Sequence, residues 1–230
     1  IYSRLKTTSG SLYEDALKFD KILTARTFEK FSEDVDKTSW HMPAHMVNAY
    51  YSPDSNTIVF PAAILQAPFY SLEQSSSQNY GGIGAVIAHE ISHAFDNNGA
   101  QFDKEGNLNK WWLDEDYEAF EEKQKEMIAL FDGVETEAGP ANGKLIVSEN
   151  IADQGGITAA LTAAKDEKDV DLKAFFSQWA KIWRMKASKE FQQMLLSMDV
   201  HAPAKLRANI PPTNLEEFYE TFDVKETDKM

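Results

Sequence analysis

The sequence contains no cysteine and no run of 18 apolar residues, and its basic residues are far outnumbered by acidic ones. The first absence excludes disulfides and thiolate zinc sites. The second predicts that this stretch has no transmembrane segment. A net charge of -14 argues against nucleic acid or an anionic membrane as a partner. Because only five histidines are present, any zinc site must combine some of them with Asp or Glu.

Length and apolar content are those of an ordinary folded protein. The 230 residues, 43% of them apolar, can bury a real core, and no linker divides them, so we predict one domain over residues 1–230. The sequence opens without Met or a signal-like apolar stretch. We therefore expect it to be a piece of a longer protein.

Hydrophobic periodicity predicts a mainly helical fold with a small β-sheet, that is, an α+β protein. Apolar residues at helical spacing predict helices over residues 11–37, 82–95, 114–131, 148–161, 172–186 and 189–198. Two β-rich runs predict a hairpin over residues 47–60. Asn214 with Glu217 predicts a capping box for a last helix through Phe222. Turn-forming residues predict loops over residues 71–80, 100–112 and 132–143 and an irregular segment at 201–207.

The strongest chemical signal is the pentapeptide His89-Glu90-Ile91-Ser92-His93. Positions four apart on a helix share one face, so the two imidazoles can reach one metal ion. Glu90 is turned about 100° away on the same helix. There it can take a proton from a water that the metal activates and pass it to a leaving amine. The pattern predicts a zinc hydrolase.

Two carboxylates on a later helix can supply a third metal ligand, which the pentapeptide lacks. Glu149 and Asp153 are also four apart, among apolar residues that predict a largely buried helix. Unpaired carboxylates there would repel each other, and a divalent cation relieves this. Glu149 is therefore the best third ligand, and Asp153 can accept a hydrogen bond from a ligand histidine, as can Asp96. Capping of the helix by Ser148 or Glu149 is the alternative interpretation.

Other polar residues have weaker support. His41 and His45 are four apart, but a proline lies between them and no carboxylate accompanies them, so we interpret them as unrelated to metal. Asn48 could clamp a peptide backbone at a strand edge, or be an ordinary surface residue of a hairpin. Arg207 could bind a substrate carbonyl or carboxylate. His201 lies in a proline-flanked segment, and neither its role nor that of Arg207 follows from spacing.

From about residue 38 to residue 222, the sequence resembles the neprilysin-type zinc metallopeptidases, the M13 family. The order and approximate spacing of several motifs carry the resemblance: residues 47–51, 58–69, 79–84, 89–93, 149–153 and 201–203 with Arg207. The resemblance implies a thermolysin-like zinc peptidase catalytic lobe, mostly helical with a small sheet. In this family a second, large helical lobe covers the cleft and restricts it to short peptides.

The resemblance also implies a role for each matching residue. One zinc ion per chain would be bound by His89, His93 and Glu149, with Glu90 as general base and Asp153 behind the ligands. His201 would stabilise the transition state, and Arg207 would contact the residue on the leaving side. The substrate backbone would be bound by Asn48 and Ala49. An apolar pocket just past the scissile bond would be lined by Ile64, Phe69, Val86, Ile182 and Trp183.

Two departures from the family pattern define the alternatives. Mammalian members carry cysteines, so this sequence more closely resembles the bacterial oligopeptidases, and we expect a cytoplasmic location, with an extracytoplasmic one as the alternative. Family members also have several hundred residues upstream, so the upstream lobe is an expected partner, besides peptide substrates. The resulting hypothesis is a zinc endopeptidase that cleaves short peptides before apolar residues. The alternatives are a non-catalytic peptide-binding lobe, and a structural zinc, which is disfavoured because no fourth ligand is evident.

Overall fold

The computed structural model describes residues 10–225 and residue 228. The chain divides into two compact units, Ile1–Ser39 and Trp40–Met230, and the single domain over residues 1–230 stays a prediction. Every predicted site residue lies in the second unit, which is therefore the one that matters for function. None of the helices in the described residues combines the length and hydrophobicity that crossing a bilayer requires.

The first unit contains one long helix, α1 (Leu12–Lys30). It begins where the Ser11 side chain accepts the backbone N–H of Glu14. We predicted that it continues to residue 37, but it ends at Lys30, and Ser32 donates its hydroxyl to the carbonyl of Glu29 at 2.8 Å. Such side-chain bonds to the backbone compete with helix continuation. The predicted packing face is not observed, since no residue of α1 is buried.

The second unit is mainly helical, as predicted, with two small antiparallel sheets. The strands are β1 (Tyr50–Ser52) paired with β2 (Thr57–Val59), and β3 (Glu135–Thr136) paired with β4 (Gly139–Pro140). The helices are α2 (Ser76–Asn79), α3 (Ala85–Ser92), α4 (Asp114–Phe131), α5 (Val147–Lys165), α6 (Leu172–Ile182), α7 (Lys189–Met198), α8 (Ala204–Asn209) and α9 (Glu216–Phe222). The first hairpin and helices α3 to α7 confirm the predicted elements, apart from their exact ends.

Several local predictions were wrong where tertiary contacts override sequence patterns. The predicted loop at 71–80 contains α2, which starts at a capping box formed by Ser75 and Gln78. The expected irregular segment at 201–207 becomes α8 from Ala204 onward. Helix α6 ends at Ile182, four residues earlier than predicted.

The predicted capping box of the last helix does not form. Leu215 is the residue before α9, and no side chain caps the helix. Asn214 instead donates its amide to Gln154 at 2.8 Å, and Glu217 pairs with Lys165 at 2.5 Å. Both side chains thus tie the end of the chain to α5 rather than to the first turn of α9.

The core lies where α3 packs against α5, with α6 beside them. Gly156 of α5 allows this close approach, because a Cβ added there would lie 2.8 Å from the Ala85 carbonyl oxygen and 3.0 Å from His89 Cα. The largest buried side chains of this core come mainly from α5 and α6: Ile157, Leu161, Phe175, Phe176, Trp179 and Ile182. The α3–α5 contact positions the polar residues of both helices toward one another.

Candidate active site

Helix α3 carries the two histidines of the motif on one face. The Nε2 atoms of His89 and His93 lie 3.0 Å apart, and the rings meet edge to face with centroids 4.5 Å apart. The α-helix ends at Ser92, and residues 93–95 continue as a 3-10 turn, so the helical spacing is kept up to His93. Two ring nitrogens therefore converge on one point, as the i, i+4 spacing predicts.

Glu149, in the first turn of α5, faces the same point. Its Oε2 lies 3.4 Å from His89 Nε2 and 3.6 Å from His93 Nε2, and no hydrogen bond satisfies this buried oxygen. A tetrahedral zinc with bonds of about 2.0–2.1 Å separates its ligand atoms by about 3.4 Å. The three observed separations are close to that value, and two neutral nitrogens with one carboxylate are a common donor set for catalytic zinc. These residues therefore fit a zinc ion.

Asp153, one turn further along α5, lies behind His89. Its Oδ1 is 2.9 Å from His89 Nδ1, and both of its oxygens accept hydrogen bonds from Arg207, from Nε and Nη2 at 2.7 Å each. The carboxyl is 1% exposed, and burial alone would raise its pKa, but Arg207 and His89 outweigh burial and hold the pKa of Asp153 below its usual value. A charged carboxylate thus lies beside the His89 ring, although Nδ1 of His89 makes no hydrogen bond within the described residues.

Asp96 lies beside His93 and, unlike Asp153 with His89, is hydrogen-bonded to the ring nitrogen. Its Oδ2 lies 2.7 Å from His93 Nδ1 and also accepts the hydroxyl of Ser148 at 2.6 Å. Its Oδ1 accepts the backbone N–H groups of Asn98 and Gly99, both at 2.7 Å. The alternative interpretation of Ser148 as a helix cap is wrong, since Ile146 precedes α5 and no side chain caps it. Ser148 links α5 to the carboxylate behind the second histidine.

Glu90 is the other carboxylate at this point. A ligating oxygen of Glu90 and ring nitrogens of both motif histidines lie within 4.8 Å of one another. Burial raises the pKa of Glu90, which is 5% exposed, and the two histidines only partly oppose this. Glu149 differs: burial opposes its charge as well, but its contacts with the histidines outweigh burial and lower its pKa. A carboxylate held charged suits metal binding, and one with a raised pKa suits proton transfer.

These groups border a cleft of about 460 Å³. Of the residues predicted for substrate binding, the cleft is lined by Asn48, Ala49, Ile64, Phe69, Val86, Trp183 and Arg207, and also by His201. Ile182 differs from the rest: it is buried in the core and lines a neighbouring cavity. The C-terminal part of α6 therefore places Trp179 and the following Trp183 against the cleft, and not Ile182.

His201 lies across the cleft from the motif histidines. Its Nε2 is 3.3 Å from Glu149 Oε2, and its Nδ1 is 2.7 Å from Asp199 Oδ1. Asp199 Oδ1 also accepts the backbone N–H of His201 at 3.0 Å. The Asp199 carboxylate therefore fixes both the backbone and the ring of His201. His41 and His45 are not among the residues that line this cleft, although the His41 backbone N–H donates to the hydroxyl of Tyr50, which does line it.

Sequence reasoning missed several residues that build the site. The roles of Ser148 and Asp199 depend on contacts that spacing does not reveal. Trp179 donates its indole N–H to the backbone carbonyl of Arg207 at 3.2 Å and so anchors α8. Gly156 was detectable, because a glycine inside a helical pattern often marks a close backbone approach.

Comparisons with known proteins agree with this geometry. Residues 48–230 match the family model described as "Peptidase family M13". A neutral endopeptidase of Lactococcus lactis subsp. lactis (strain IL1403) is 99% identical over 230 residues, and one of Lactobacillus helveticus is 46% identical over 220 residues. The crystal structure of PEPO from Lactobacillus rhamnosis HN001 is 45% identical with a TM-score of 0.90. That of the Mycobacterium tuberculosis zinc metalloprotease ZMP1 in complex with an inhibitor is 36% identical with a TM-score of 0.90.

These relatives are all much longer than this chain. The matches cover 100% of the chain and 37% of the Lactococcus protein, and 96% of the chain and 34% of the Lactobacillus helveticus protein. The two structures match 99% of the chain, which covers 36% of PEPO and 37% of ZMP1. The chain thus spans about a third of the proteins it matches, across a region that contains the whole candidate site. From the family match, the identities and the shared zinc metalloprotease fold, we conclude that this chain belongs to peptidase family M13.

Proposed function

We propose that this chain is the catalytic part of a zinc-dependent endopeptidase that hydrolyses short peptides on the amino side of apolar residues. The observation that carries the proposal is the convergence of His89 Nε2, His93 Nε2 and Glu149 Oε2 on one point. The buried Glu149 Oε2 has no hydrogen bond of its own. The names of the relatives favour a peptidase over a non-catalytic peptide-binding lobe, and the open cleft argues against a closed structural zinc site.

The three converging residues would hold one zinc ion, which when bound acts as a Lewis acid on the water and on the substrate carbonyl. Glu90 would accept the proton of the attacking water and pass it to the leaving amine, a role that its raised pKa favours because burial disfavours the charged carboxylate. Asp96, which is hydrogen-bonded to Nδ1 of His93, and Asp153, 2.9 Å from Nδ1 of His89, would orient the two rings so that each Nε2 lone pair faces the metal position.

Residues around the cleft would bind and orient the peptide. The amide of Asn48 and the backbone at Ala49 can pair with the substrate backbone at the edge of the first hairpin. His201, held through Nδ1 by Asp199, can present Nε2–H to the oxygen that becomes negative in the transition state. Arg207 borders the cleft on the leaving side while two of its nitrogens bind Asp153.

An apolar pocket would select the residue after the scissile bond. Ile64, Phe69 and Val86 border the cleft beside the histidines, and Trp183 closes it with its ring over the Arg207 guanidinium, 3.8 Å from the ring centre. Burying an apolar side chain there contributes about 1.5–3 kcal/mol, enough for a preference of one to two orders of magnitude. The position of Ile182 in the core suggests that it supports this pocket from behind.

The test uses the protein expressed at the full length of its relatives. We expect about one zinc per chain, loss of peptide cleavage with a chelator, and recovery with zinc. Glu90→Gln should keep the zinc and lower kcat about 10²–10⁴-fold, whereas the exposed Glu118→Gln should match the wild type. Fluorogenic peptides that differ only in Phe or Asp after the scissile bond test the apolar preference. A folded protein that neither retains added zinc nor cleaves these peptides would overturn the proposal.

A further inference from the structure

A second cavity, of about 850 Å³, adjoins the candidate active site. Trp183, His201 and Arg207 line both spaces and form the wall between them, together with Val47 and Asn48 at one end. A peptide bound in the first cleft can therefore extend into the second without leaving the surface of the protein. None of the roles assigned above explains this second space.

The charge of this cavity is opposite to that of the chain. Its lining includes Arg184 and Lys186, which follow α6, and Lys205 of α8, besides Arg207. The chain as a whole has a net charge of -14. Cations are thus concentrated beside the catalytic residues of an otherwise acidic protein, and a field of one sign in a cavity attracts the opposite charge.

Three of these cationic side chains have no ion-pair partner within the described residues. Arg184, Lys186 and Lys205 are exposed, and their side chains make no ion pair or hydrogen bond within residues 10–225 and 228. Two carboxylates also line the cavity: Asp199 is bonded to His201, and Glu137 comes from the turn between β3 and β4. The three free cations therefore exceed the acidic groups available to neutralise them.

We propose that this second cavity is a substrate subsite that binds a carboxylate of the peptide through Arg184, Lys186 and Lys205. The carboxylate can be an acidic side chain or the C-terminus, and the excess of cations in the lining suits either. The inference rests on the proposed peptidase function, because the peptide must reach the cavity past Trp183. It adds a preference for an acidic group to the apolar preference of the first pocket.

The experiment uses the zinc-loaded protein at the full length of its relatives and a series of fluorescent peptides. All are amidated and identical except that one Glu moves along the chain, and each is matched by a peptide with Gln at that position. A further pair compares a free C-terminus with an amide. Cleavage is measured as kcat/KM, and binding by anisotropy with Glu90→Gln, so that binding is read without turnover.

At one position we expect Glu, or the free C-terminus, to be favoured by roughly three- to fivefold, since exposed ion pairs are individually weak. The preference should decrease with added salt and disappear in the triple variant Arg184→Ala/Lys186→Ala/Lys205→Ala, while Lys173→Ala on the far part of α6 retains it. A preference confined to the Glu peptides assigns the subsite to a side chain, and one confined to the free acid assigns it to the C-terminus.

Two outcomes would overturn the inference. Cleavage without any preference, or a preference that survives in the triple variant, contradicts the subsite while leaving the peptidase intact. Failure of cleavage with every peptide contradicts the proposed function. In that case the anisotropy measurement of peptide binding decides, separately, whether the subsite exists. Binding with an acidic preference would support the subsite, and equal or absent binding would refute it.

Discussion

The close packing of α3 against α5 leads to a specific prediction about Gly156. In Gly156→Ala the new Cβ would lie 2.8 Å from the Ala85 carbonyl oxygen and 3.0 Å from both Cα and Cβ of His89. Ordinary carbon contacts begin at about 3.4 Å, so the two helices must separate by roughly 0.6 Å, because the crowded atoms belong to backbone or lie next to it. That separation moves His89 away from Glu149.

A shift of this size matters more for metal binding than for folding. Zinc–ligand distances vary by only about 0.2 Å between sites. We expect the dissociation constant for zinc to rise about 10–100-fold, as for changes that disturb ligand orientation. The free energy of unfolding of the metal-free protein should fall by about 1–3 kcal/mol, the usual cost of overpacking.

A competition assay with a chromophoric chelator measures the first quantity, and urea unfolding measures the second. Gly84→Ala is the matched control: it adds the same methyl group just before α3, and its nearest neighbours lie at an ordinary 3.4 Å. We expect this control to bind zinc like the wild type. If Gly156→Ala folds and binds zinc as tightly as Gly84→Ala, the α3–α5 contact does not set the ligand geometry and the reasoning fails.

Two further predictions concern charge in the site. Arg207→Met leaves the buried Asp153 carboxylate without its cation, so the free energy of unfolding should fall by about 3–5 kcal/mol, and Asp153→Asn in the same chain should restore part of it; equal losses in the single and double variants, measured in urea, would contradict this. For His93, burial opposes the charged ring, but Asp96 and Glu149 outweigh burial and raise its pKa to about 10 in the metal-free chain. At pH 7.5 zinc must then displace at least the proton of His93, and its affinity should rise with pH up to about that pKa. Calorimetry in buffers of different ionisation enthalpy measures the released proton, and a binding enthalpy that is the same in all buffers would refute the assignment.

The sequence could predict which site residues share one face of a single helix. His89 and His93 share one face of α3, and Glu149 and Asp153 share one face of α5, because helical spacing alone determines these relations. The short distances inside each pair follow directly. The resemblance to a known family then indicated that the two helices meet, which periodicity does not show.

What the sequence could not predict depends on how helices pack. Arg207 is bonded to Asp153 across 54 positions of sequence, and Ser148 is bonded to Asp96 across 52. Nothing in local composition indicates either pair. The missed cap of α9 has the same origin, since Asn214 bonds to α5 rather than to its own helix.

The arrangement makes α5 the helix that determines the metal geometry. Glu149 supplies a candidate ligand, Asp153 orients His89, and Ser148 bonds to the carboxylate that orients His93. Within six successive residues, Ser148 to Asp153, one helix thus reaches all three converging side chains directly or through one intermediary. A displacement of α5 should therefore disturb all three ligands together, whereas a change in the loops around the cleft should alter substrate binding and leave zinc in place. Gly156, one turn after Asp153, is then the position at which the distance between α5 and α3 can be changed without removing any polar group of the site.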